Sequence, residues 1–443
     1  HEAFHVARNG RPGPVLMDIP KDVQFEKADY VSRNDARTRN CIVVPEPVSW
    51  DIQRAVEMLR HAQRPVFYTG GGVINAGPQA AQDLRTLVQA TGAPVTSTLM
   101  GLGAYPAGDP HWLGMLGMHG SFEANNAMHE CDLMIAVGAR FDDRVTGRLD
   151  AFSPGSRKIH IDIDPSSINK NVPVDLPLIG DAGEILKALL TEWQRRDQAT
   201  PADRERLSGW WESIKAWRAR NSFAYDKSGD EIQPQYAIER LYELTKDRDV
   251  YITTEVGQHQ MWAAQHFHFM EPNRWMTSGG LGTMGYGLPA TLGVQAAHPD
   301  ALVIDIAGDA SVQMTMQEIS AAVQHDLPVK IFILNNEYLG MVRQWQELLH
   351  GGRYSHSYSA SLPDFVKLAE AYGGVGFRAQ TKQELDGKIM EMISVNKPVI
   401  FDCCVTKEEN VFPMIPSGAA HNDMLMGGTV TGDEISDAGK VLV

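Results

Sequence analysis

Residues 304–314 read IDIAGDASVQM, and this stretch passes from an apolar run into small and acidic residues. The run begins at Leu302 and has the length of a buried strand, and Asp309 follows at the point where that strand would end. The next apolar run, PVKIFILNN at residues 328–336, also ends in polar side chains. Because ligands bind beyond the carboxyl ends of strands in open parallel sheets, we predict a ligand site where these two runs end.

The residue types at this predicted site suit a metal ion and a phosphate group. A carboxylate from Asp309 and an amide oxygen from Asn335 or Asn336 are hard ligands of the kind that Mg²⁺ binds, together with phosphate oxygens and water. The small residues Ala310 and Ser311 leave room for phosphate to approach backbone N–H groups at a helix start. Taken alone, the aspartate could be only a helix N-cap and the two asparagines only a turn.

Helices and strands alternate on both sides of a polar, charged segment at residues 196–231. Such alternation is typical of parallel sheets covered by helices, so we predict an α/β protein with two doubly wound parallel-sheet domains. The polar segment is expected to be a linker that includes a surface helix. The predicted division is an N-terminal segment with a linker, a central domain, the second linker, a C-terminal domain and a tail, at residues 1–49, 50–195, 196–231, 232–405 and 406–443.

The composition of the 443-residue chain is that of a globular protein, with 43% hydrophobic and 21% charged residues. Its formal net charge of −15 argues against nucleic acid and anionic membranes as partners, because both require a basic face. No apolar run reaches the roughly 18 residues that a membrane helix needs. The cysteines show neither a CxxC pair nor a zinc-type spacing, so we expect reduced thiols in a cytoplasmic protein. They are Cys41, Cys131, Cys403 and Cys404.

The first residues are expected to lie in the middle of a domain. EAFHVAR at residues 2–8 is typical of the end of a helix, NGRPGP at 9–14 of a turn, and VLMDI at 15–19 of a buried strand. The chain begins with His1 and shows no features of a signal peptide. We therefore expect an N-terminal portion to be absent from this sequence.

The segment from Asp309 to Asn336, with a helix and a buried strand between them, resembles the thiamine-diphosphate-binding motif of a large enzyme superfamily. Six further stretches resemble the catalytic subunits of acetolactate synthases, and together the resemblance covers essentially the whole chain. It implies condensation of pyruvate with pyruvate or 2-oxobutanoate, with release of CO₂, in branched-chain amino acid biosynthesis. The stretches are GRPGPVLMDIPKDVQ (10–24), LGMLGMHG (113–120), VGARFDDRVTG (137–147), TSGGLGTMGYGLPA (277–290), NNEYLGMVRQWQ (335–346) and ENVFPMIPSGAAHNDML (409–425).

The resemblance implies roles for residues of the C-terminal half, the diphosphate-binding type of domain. Side chains of Asp309 and Asn336 and the backbone carbonyl of Tyr338 would bind Mg²⁺. Thiamine diphosphate would contact these and other positions, with Met284 holding it in a bent shape. Considered singly, His259 could be a helix-cap histidine and Met284 simple packing. The implied thiamine diphosphate contacts are Gln258, His259, Gly282, Met284, Asp309, Ala310, Ser311 and Asn336.

The second keto acid, the acceptor, is an anion, and a planar arginine fork suits its carboxylate. The resemblance makes Arg144, from FDDR, the candidate for this contact. Trp345 would contact the alkyl group of the acceptor, and Met341 would line the same cleft. Without the resemblance, Arg144 could form a surface salt bridge and Trp345 could be a half-buried core aromatic.

The central half is implied to be a nucleotide-binding domain that holds FAD in a structural rather than a redox role. Its glycine-rich YTGGGV (68–73) is weak support by itself, because no GxGxxG fingerprint is present. The implied FAD contacts are Arg11, Gly71, Gly72, Thr98, Leu99, Gly117, Met118, His119, Gly138, Arg140, Asp142, Asp162, Ile163, Asp181 and Ala182.

The resemblance also implies a homodimer or homotetramer, a small regulatory subunit, and an N-terminal pyrimidine-binding domain that is mostly missing here. That domain would supply a glutamate to the aminopyrimidine ring, so we expect residues 1–443 alone to make no acetolactate. Other enzymes of the superfamily stay open as alternatives, namely glyoxylate carboligase, pyruvate oxidase and 2-oxo acid decarboxylases. A regulatory or nucleotide-sensing fragment is a second alternative, and an NAD dehydrogenase is a third that lacks its fingerprint.

Overall fold

Twelve strands form two separate, fully parallel sheets in the computed structural model, which describes residues 2–30, 32, 48–196 and 205–427. This confirms the predicted α/β class with two doubly wound sheets. Among the helices of these ranges, none combines the length and apolar composition that crossing a bilayer requires. Cys41, most of the first predicted linker and the end of the predicted tail lie outside the described residues.

The first sheet has the strand order β3-β2-β1-β4-β5-β6. Its strands are β1 (Pro65–Thr69), β2 (Val95–Ser97), β3 (Trp112–Met115), β4 (Leu133–Val137), β5 (Arg157–Asp162) and β6 (Leu176–Ile179). The helices of this half and of the segments beside it are α1 (Glu2–Arg8), α2 (Lys21–Phe25), α3 (Ser49–His61), α4 (Gly71–Asn75), α5 (Pro78–Thr91), α6 (Phe122–Glu130), α7 (Asp143–Thr146), α8 (Ala182–Arg196) and α9 (Ser208–Arg218).

Helices cover both faces of this sheet because each presents one apolar face. On α3, the predicted face of Ile52, Ala55, Val56 and Leu59 is buried. Helix α5 starts with Pro78 in its first turn, where a missing N–H costs nothing, and α5 and α8 pack closely on each other. Helix α9 is less of a surface helix than expected, since two of its side chains enter the core beneath β1 and β4. They are Trp210 and Ile214.

The second sheet has the strand order β11-β12-β10-β9-β7-β8. Its strands are β7 (Val250–Thr254), β8 (Trp275–Thr277), β9 (Leu302–Gly308), β10 (Lys330–Asn335), β11 (Val375–Ala379) and β12 (Val399–Cys404). Its helices are α10 (Pro234–Thr245), α11 (Gln258–His266), α12 (Gly287–Ala297), α13 (Ile319–Gln324), α14 (Gly340–Leu348), α15 (Phe365–Tyr372) and α16 (Lys382–Ser394). The central strands β9 and β10 are buried along almost their whole length.

The segment after β12 connects the two halves. Ile415 donates its backbone N–H to the Met118 carbonyl at 2.8 Å, and Arg148 donates its own to Ala419 at 3.2 Å. These contacts join the C-terminal segment to loops that follow β3 and β4 of the first sheet. The sequence of residues 406–443 shows little periodicity, and the described part of this tail is positioned by such long-range contacts.

The predicted strand VLMDI at residues 15–19 is wrong. Residues 12–20 form an irregular segment, and Leu16 is 96% exposed. A strand needs a neighbour to accept and donate its backbone hydrogen bonds, and within the described residues no strand pairs with this segment. The helix predicted at residues 2–8 is confirmed as α1.

The apolar periodicity of residues 316–325 and 362–372 predicts two helices, and both begin later than expected. The helix predicted from residue 362 starts at Phe365, because the carboxylate of Asp364 caps it by accepting from the N–H groups of Val366 and Lys367. In the predicted helix 316–325, the first turn is a 3₁₀ turn, Met316–Glu318, and α13 follows it. Apolar runs in the sequence predict the other eight strands, but they do not predict the four short strands β3, β6, β8 and β11.

Candidate active site

The second sheet changes direction between β7 and β9. From β7 the chain moves to one side, to β8, and from β9 onward it builds the other side of the sheet. In doubly wound folds such a switch point opens a crevice at the carboxyl ends of the two strands. Gln258 and His259 follow β7 at the start of α11, Asp309 follows β9, and Asn336 follows the neighbouring β10. The structure therefore brings these four predicted site residues to one edge of one sheet.

Asp309 is 1% exposed, and only one of its two carboxylate oxygens accepts a hydrogen bond from the described residues. Its Oδ1 accepts the backbone N–H of Ala310 at 3.0 Å. No described residue donates a hydrogen bond to Oδ2, although this atom is buried. Burial raises the pKa of Asp309 to about 7. A buried carboxylate oxygen without a partner costs free energy in the protein alone, and a bound cation would satisfy it.

The structure distinguishes the two asparagines that the sequence left open. Asn335 turns its amide to Asp402, with Nδ2 donating to Oδ1 at 2.8 Å. Asn336 instead faces the crevice, where its Nδ2 donates to Gln258 Oε1 at 3.2 Å. Its Oδ1 accepts the N–H of Tyr338 at 3.1 Å and keeps a second lone pair. One carboxylate oxygen and one amide oxygen are the donor set that fits Mg²⁺.

Glu255 and Asp305, which the sequence analysis did not single out, form a buried acidic pair beneath this edge. Both side chains are fully buried. Ser311 donates to Glu255 Oε2 at 3.0 Å, and the same carboxylate oxygen lies 3.5 Å from His259 Nε2. Glu255 thus links two of the predicted diphosphate contacts. The sequence signal was present, since Asp305 interrupts the apolar strand β9 and Glu255 directly follows β7, at positions where a buried charge is costly.

Burial, and then the charge of Glu255, raise the pKa of Asp305 well above its usual range. The folded protein therefore holds a proton that the unfolded chain loses above about pH 3.8, so stability falls as the pH rises from there. We expect Asp305→Asn to raise the free energy of unfolding at pH 8 by about 1 kcal/mol or more, because one pKa unit corresponds to about 1.4 kcal/mol. Thermal melts at pH 5 and pH 8 measure this. An equal gain at both pH values would contradict it.

The glycine-rich loop after β8 lies against the first half of the protein. Met284 is half-buried in it, and Gly282 is exposed. A Cβ placed on Gly279 would lie 2.3 Å from the sulfur of Met100, so a larger residue would have to displace the Met100 side chain. Leu99, a predicted FAD contact, lies next to Met100 in the loop after β2. The loop that carries Met284 therefore contacts the loop that carries part of the predicted flavin site.

Two of the three predicted acceptor residues, Met341 and Trp345, line one groove, whereas the side chain of Arg144 does not line it. Trp345 and Met118 pack on the same small apolar cluster. The N–H of Met118 donates to the carbonyl of Arg144 at 2.9 Å, which holds Arg144 beside it. The Arg144 side chain is 65% exposed, and among the described residues it pairs only with Asp143, at 3.8 Å. An open groove of about 510 Å³ begins here, lined by Met341, Val342, Trp345, Gln346, His350 and Arg353.

The first sheet has its own switch point, between β1 and β4. A Cβ on Gly72 would lie 2.5 Å from Gly138 Cα, so the turns after these two strands touch backbone to backbone. Only glycines allow the two turns to approach so closely, and such close backbone packing at a switch point is typical of dinucleotide-binding domains. The predicted FAD contacts other than Arg11 all follow the carboxyl ends of the six strands. They are Gly71 and Gly72 after β1, Thr98 and Leu99 after β2, Gly117, Met118 and His119 after β3, Gly138, Arg140 and Asp142 after β4, Asp162 and Ile163 at β5, and Asp181 and Ala182 after β6.

Several of these side chains also have structural partners. Asp181 caps α8, accepting from the N–H groups of Gly183 and Glu184, and Arg140 pairs with Asp142 at 2.9 Å. The ring of His119 is buried 3.1 Å from the Pro413 carbonyl, and burial lowers its pKa to about 4, so it is neutral at pH 7.

Arg11 belongs to the N-terminal segment and yet lies near the end of β5. Hydrogen bonds from Ser166, and to a lesser degree the charge of Arg11, lower the pKa of Asp164, which follows Asp162 and Ile163. Arg11 therefore reaches the same edge of the first sheet as the other predicted flavin contacts.

Two family descriptions match the two sheets. Residues 52–189 match "Thiamine pyrophosphate enzyme, central domain", and residues 255–403 match "Thiamine pyrophosphate enzyme, C-terminal TPP binding domain". The second match begins at Glu255 and ends at β12, so it contains the whole edge described above. Fold and site together define the class as thiamine pyrophosphate enzymes.

Individual relatives show which family of thiamine pyrophosphate enzymes the chain is similar to. The acetolactate synthase large subunit of Haemophilus influenzae is 46% identical over 433 residues, 96% of this chain and 74% of that protein. Acetolactate synthase isozyme 3 large subunit of Escherichia coli is 46% identical over 97% of this chain and 75% of its own length. The large subunit of Porphyra purpurea is 43% identical over 96% and 71%. The chain belongs to the acetolactate synthase large subunit family.

Proposed function

We propose that this chain is the catalytic subunit of an acetolactate synthase, which condenses pyruvate with pyruvate or 2-oxobutanoate and releases CO₂. One observation carries the proposal: at the switch point of the second sheet, the buried Asp309 carboxylate has an oxygen without a described partner, beside Asn336. That arrangement suits a divalent cation, and it lies inside a region similar to thiamine pyrophosphate binding domains.

In this proposal, Asp309, Asn336 and the carbonyl of Tyr338 hold Mg²⁺, and Ala310, Ser311 and His259 approach the diphosphate. Gln258 is a further proposed contact. When bound, thiamine diphosphate supplies an electron sink for the decarboxylation of a 2-oxo acid. The chain itself binds and orients the diphosphate end. Met284, half-buried in the glycine-rich loop beside Gly282, is proposed to support the rest of the cofactor.

The acceptor is proposed to enter the groove beside Trp345 and Met341. Arg144 has an exposed guanidinium whose pairing with Asp143 is loose and open to solvent, so it is available to bind a carboxylate. An arginine holds a carboxylate through two parallel hydrogen bonds, which fixes the orientation of the keto group. The apolar wall of the groove would then contact the methyl or ethyl group of the acceptor.

FAD is proposed to bind along the carboxyl edge of the first sheet, at the residues named above. The backbone contact between Gly72 and Gly138 supports this assignment, because close packing of glycine turns at a switch point is typical of dinucleotide-binding domains. A structural role fits the packing, since the loop of Leu99 and Met100 contacts the glycine-rich loop of the second half. Bound nucleotide would hold that loop in place.

The wider assembly belongs to the same proposal. We propose a cytoplasmic homodimer or homotetramer with a small regulatory subunit, since the relatives are named large subunits. We also propose that residues 50–195 and 232–405 are the central and diphosphate-binding domains, joined by residues 196–231. Residues 1–49 would end an N-terminal domain with its linker, and 406–443 would be the tail.

Product analysis tests the proposed function. The complete protein is incubated with pyruvate, thiamine diphosphate, Mg²⁺ and FAD, and the products are separated. We expect 2-acetolactate, and 2-aceto-2-hydroxybutanoate when 2-oxobutanoate is added. Acetaldehyde as the main product would indicate a decarboxylase, and acetyl phosphate a pyruvate oxidase. Either result would overturn the proposal while leaving the cofactor assignment in place.

Trp345→Leu tests the acceptor site. Removing the aromatic wall should reduce the preference for the ethyl-bearing acceptor by about 1 kcal/mol or more, the scale of one methylene in a pocket. The measurement is the ratio of acetohydroxybutyrate to acetolactate when both acceptors compete. Trp50→Leu, the same change at a 62% exposed tryptophan on α3 of the first half, is the control and should leave the ratio at its wild-type value. A wild-type ratio in Trp345→Leu would show that Trp345 does not contact the acceptor.

A further inference from the structure

A chain of buried amides joins the C-terminal segment to the proposed metal site. It runs from residues 409–411 through Gln344 on α14 and Gln258 on α11 to Asn336. All three side-chain amides are buried, and Gln344 is 0% exposed. In such surroundings each amide group must find partners within the protein, so the direction of every hydrogen bond matters.

Backbone groups at both ends fix the orientation of these amides. The Glu409 carbonyl can only accept, and Gln258 contacts it through Nε2 at 3.0 Å. Gln258 Oε1 must therefore be the atom that faces Asn336, where it receives Nδ2 at 3.2 Å. At the far end, the N–H of Tyr338 can only donate, and it reaches Asn336 Oδ1 at 3.1 Å. The two constraints agree, so the amide orientations follow from the network and need no separate assumption.

Gln344 supplies the second anchor for Gln258. Its Oε1 accepts Gln258 Nε2 at 2.9 Å and the N–H of Val411 at 2.8 Å. Its Nε2 donates back to the Val411 carbonyl at 3.2 Å. Both hydrogens of the Gln258 amide are thereby used inside the protein. Direct contact of Gln258 with a diphosphate stays a prediction, and the network gives this residue a role that does not depend on it.

We infer that Gln258 and Gln344 are positioning residues that hold the oxygen, and not the nitrogen, of the Asn336 amide available to the metal. A reversed amide would offer an N–H₂ group, which cannot bind a cation. The inference rests on the proposed function, because it assumes a metal at Asn336. We further infer that the segment around Glu409 and Val411 controls metal affinity, because it orients Gln344. This segment contains no proposed metal ligand.

The test uses Gln344, since no cofactor contact is proposed for it. Mn²⁺ is titrated into the metal-free complete protein at saturating thiamine diphosphate, and free Mn²⁺ is followed by electron paramagnetic resonance. We expect Gln344→Leu to raise the Mn²⁺ dissociation constant about tenfold, the lower end of the effect of residues that orient metal ligands. Gln344→Glu keeps an acceptor for Gln258 and Val411, and should stay closer to wild type than Gln344→Leu.

Gln260→Leu is the matched control. Gln260 is a buried glutamine two residues further along α11, and it donates to Thr277 Oγ1 at 2.7 Å, outside the network. It should leave the Mn²⁺ dissociation constant unchanged. If Gln344→Leu does not fold, Gln344→Met, which keeps the side-chain volume, takes its place.

Wild-type Mn²⁺ affinity in a folded Gln344→Leu or Gln344→Met variant would overturn the inference. So would an equal loss in Gln260→Leu, because it would show a general effect of losing a buried amide. A wild-type protein that binds no Mn²⁺ with thiamine diphosphate would instead contradict the proposed function, so the two failures are distinguishable.

Discussion

We expect Asp309→Ala to weaken the Mg²⁺-dependent binding of thiamine diphosphate by a factor of about 100 or more. The substitution deletes one of very few protein ligands, and even residues that only orient a metal ligand change affinity by about 10- to 100-fold. The measurement is titration calorimetry of thiamine diphosphate into the complete protein, with and without Mg²⁺. Asp300→Ala, which removes an exposed carboxylate before β9, is the control. Unchanged affinity in Asp309→Ala would refute the metal assignment.

The same carboxylate should make the metal-free protein less stable at high pH. The pKa of Asp309 is raised to about 7 in the folded protein, against an ordinary value of 3.8. Between these values the folded state holds more protons than the unfolded state, so stability falls as the pH rises through this range. Asp309→Asn should therefore raise the melting temperature of the metal-free protein at pH 8, although it abolishes binding. A lower melting temperature would contradict this balance between stability and function.

Gly138→Ala should destabilise the first half of the protein and abolish the proposed binding of FAD. Gly138 has φ +61°, a backbone conformation that costs an L-residue about 1 to 2 kcal/mol. Its new Cβ would lie 2.5 Å from Gly72 Cα, so the two turns must separate, and crowding of this kind costs about 1 to 3 kcal/mol. The expected total loss is about 2 to 5 kcal/mol. Thermal melts and the flavin absorbance of the purified protein measure the two effects.

Gly155→Ala is the matched control for this change. No atom of the described residues lies within 4 Å of the Cβ that it would add, and its φ lies outside the left-handed region. It should leave both stability and flavin content unchanged. Flavin content equal to wild type in a folded Gly138→Ala variant would show that the dinucleotide does not use this switch point.

The sequence predicted the parts of the fold that depend on local pattern. The apolar runs of β9 and β10 and the polar residues behind them located the edge of the sheet, because strand ends in parallel sheets share one side. Asp309 and Asn336 were found this way. The strand pattern alone did not decide between Asn335 and Asn336, although the resemblance assigned the metal contact to Asn336, since the choice depends on Asp402, on a strand far along the chain.

The features that could not be predicted from the sequence depend on contacts between distant segments. Glu255 lies just after β7 and Asp305 lies within β9, two strands that are far apart in the sequence. Only the adjacency of β7 and β9 makes the two acids a pair. Gln344 is connected to Val411 across 67 residues. The wrong strand at residues 15–19 has the same origin, because an apolar run becomes a strand only beside a partner.

The central claim is that the switch point of the second sheet holds Mg²⁺ and the diphosphate of thiamine diphosphate. Anomalous diffraction from crystals of the complete protein grown with Mn²⁺ and thiamine diphosphate tests it most directly. The account predicts one Mn²⁺ peak at about 2.0 to 2.2 Å from the Asp309 carboxylate, Asn336 Oδ1 and the Tyr338 carbonyl oxygen, with diphosphate oxygens completing the shell. A peak bonded to other residues, with the diphosphate away from the ends of β7 and β9, would contradict it.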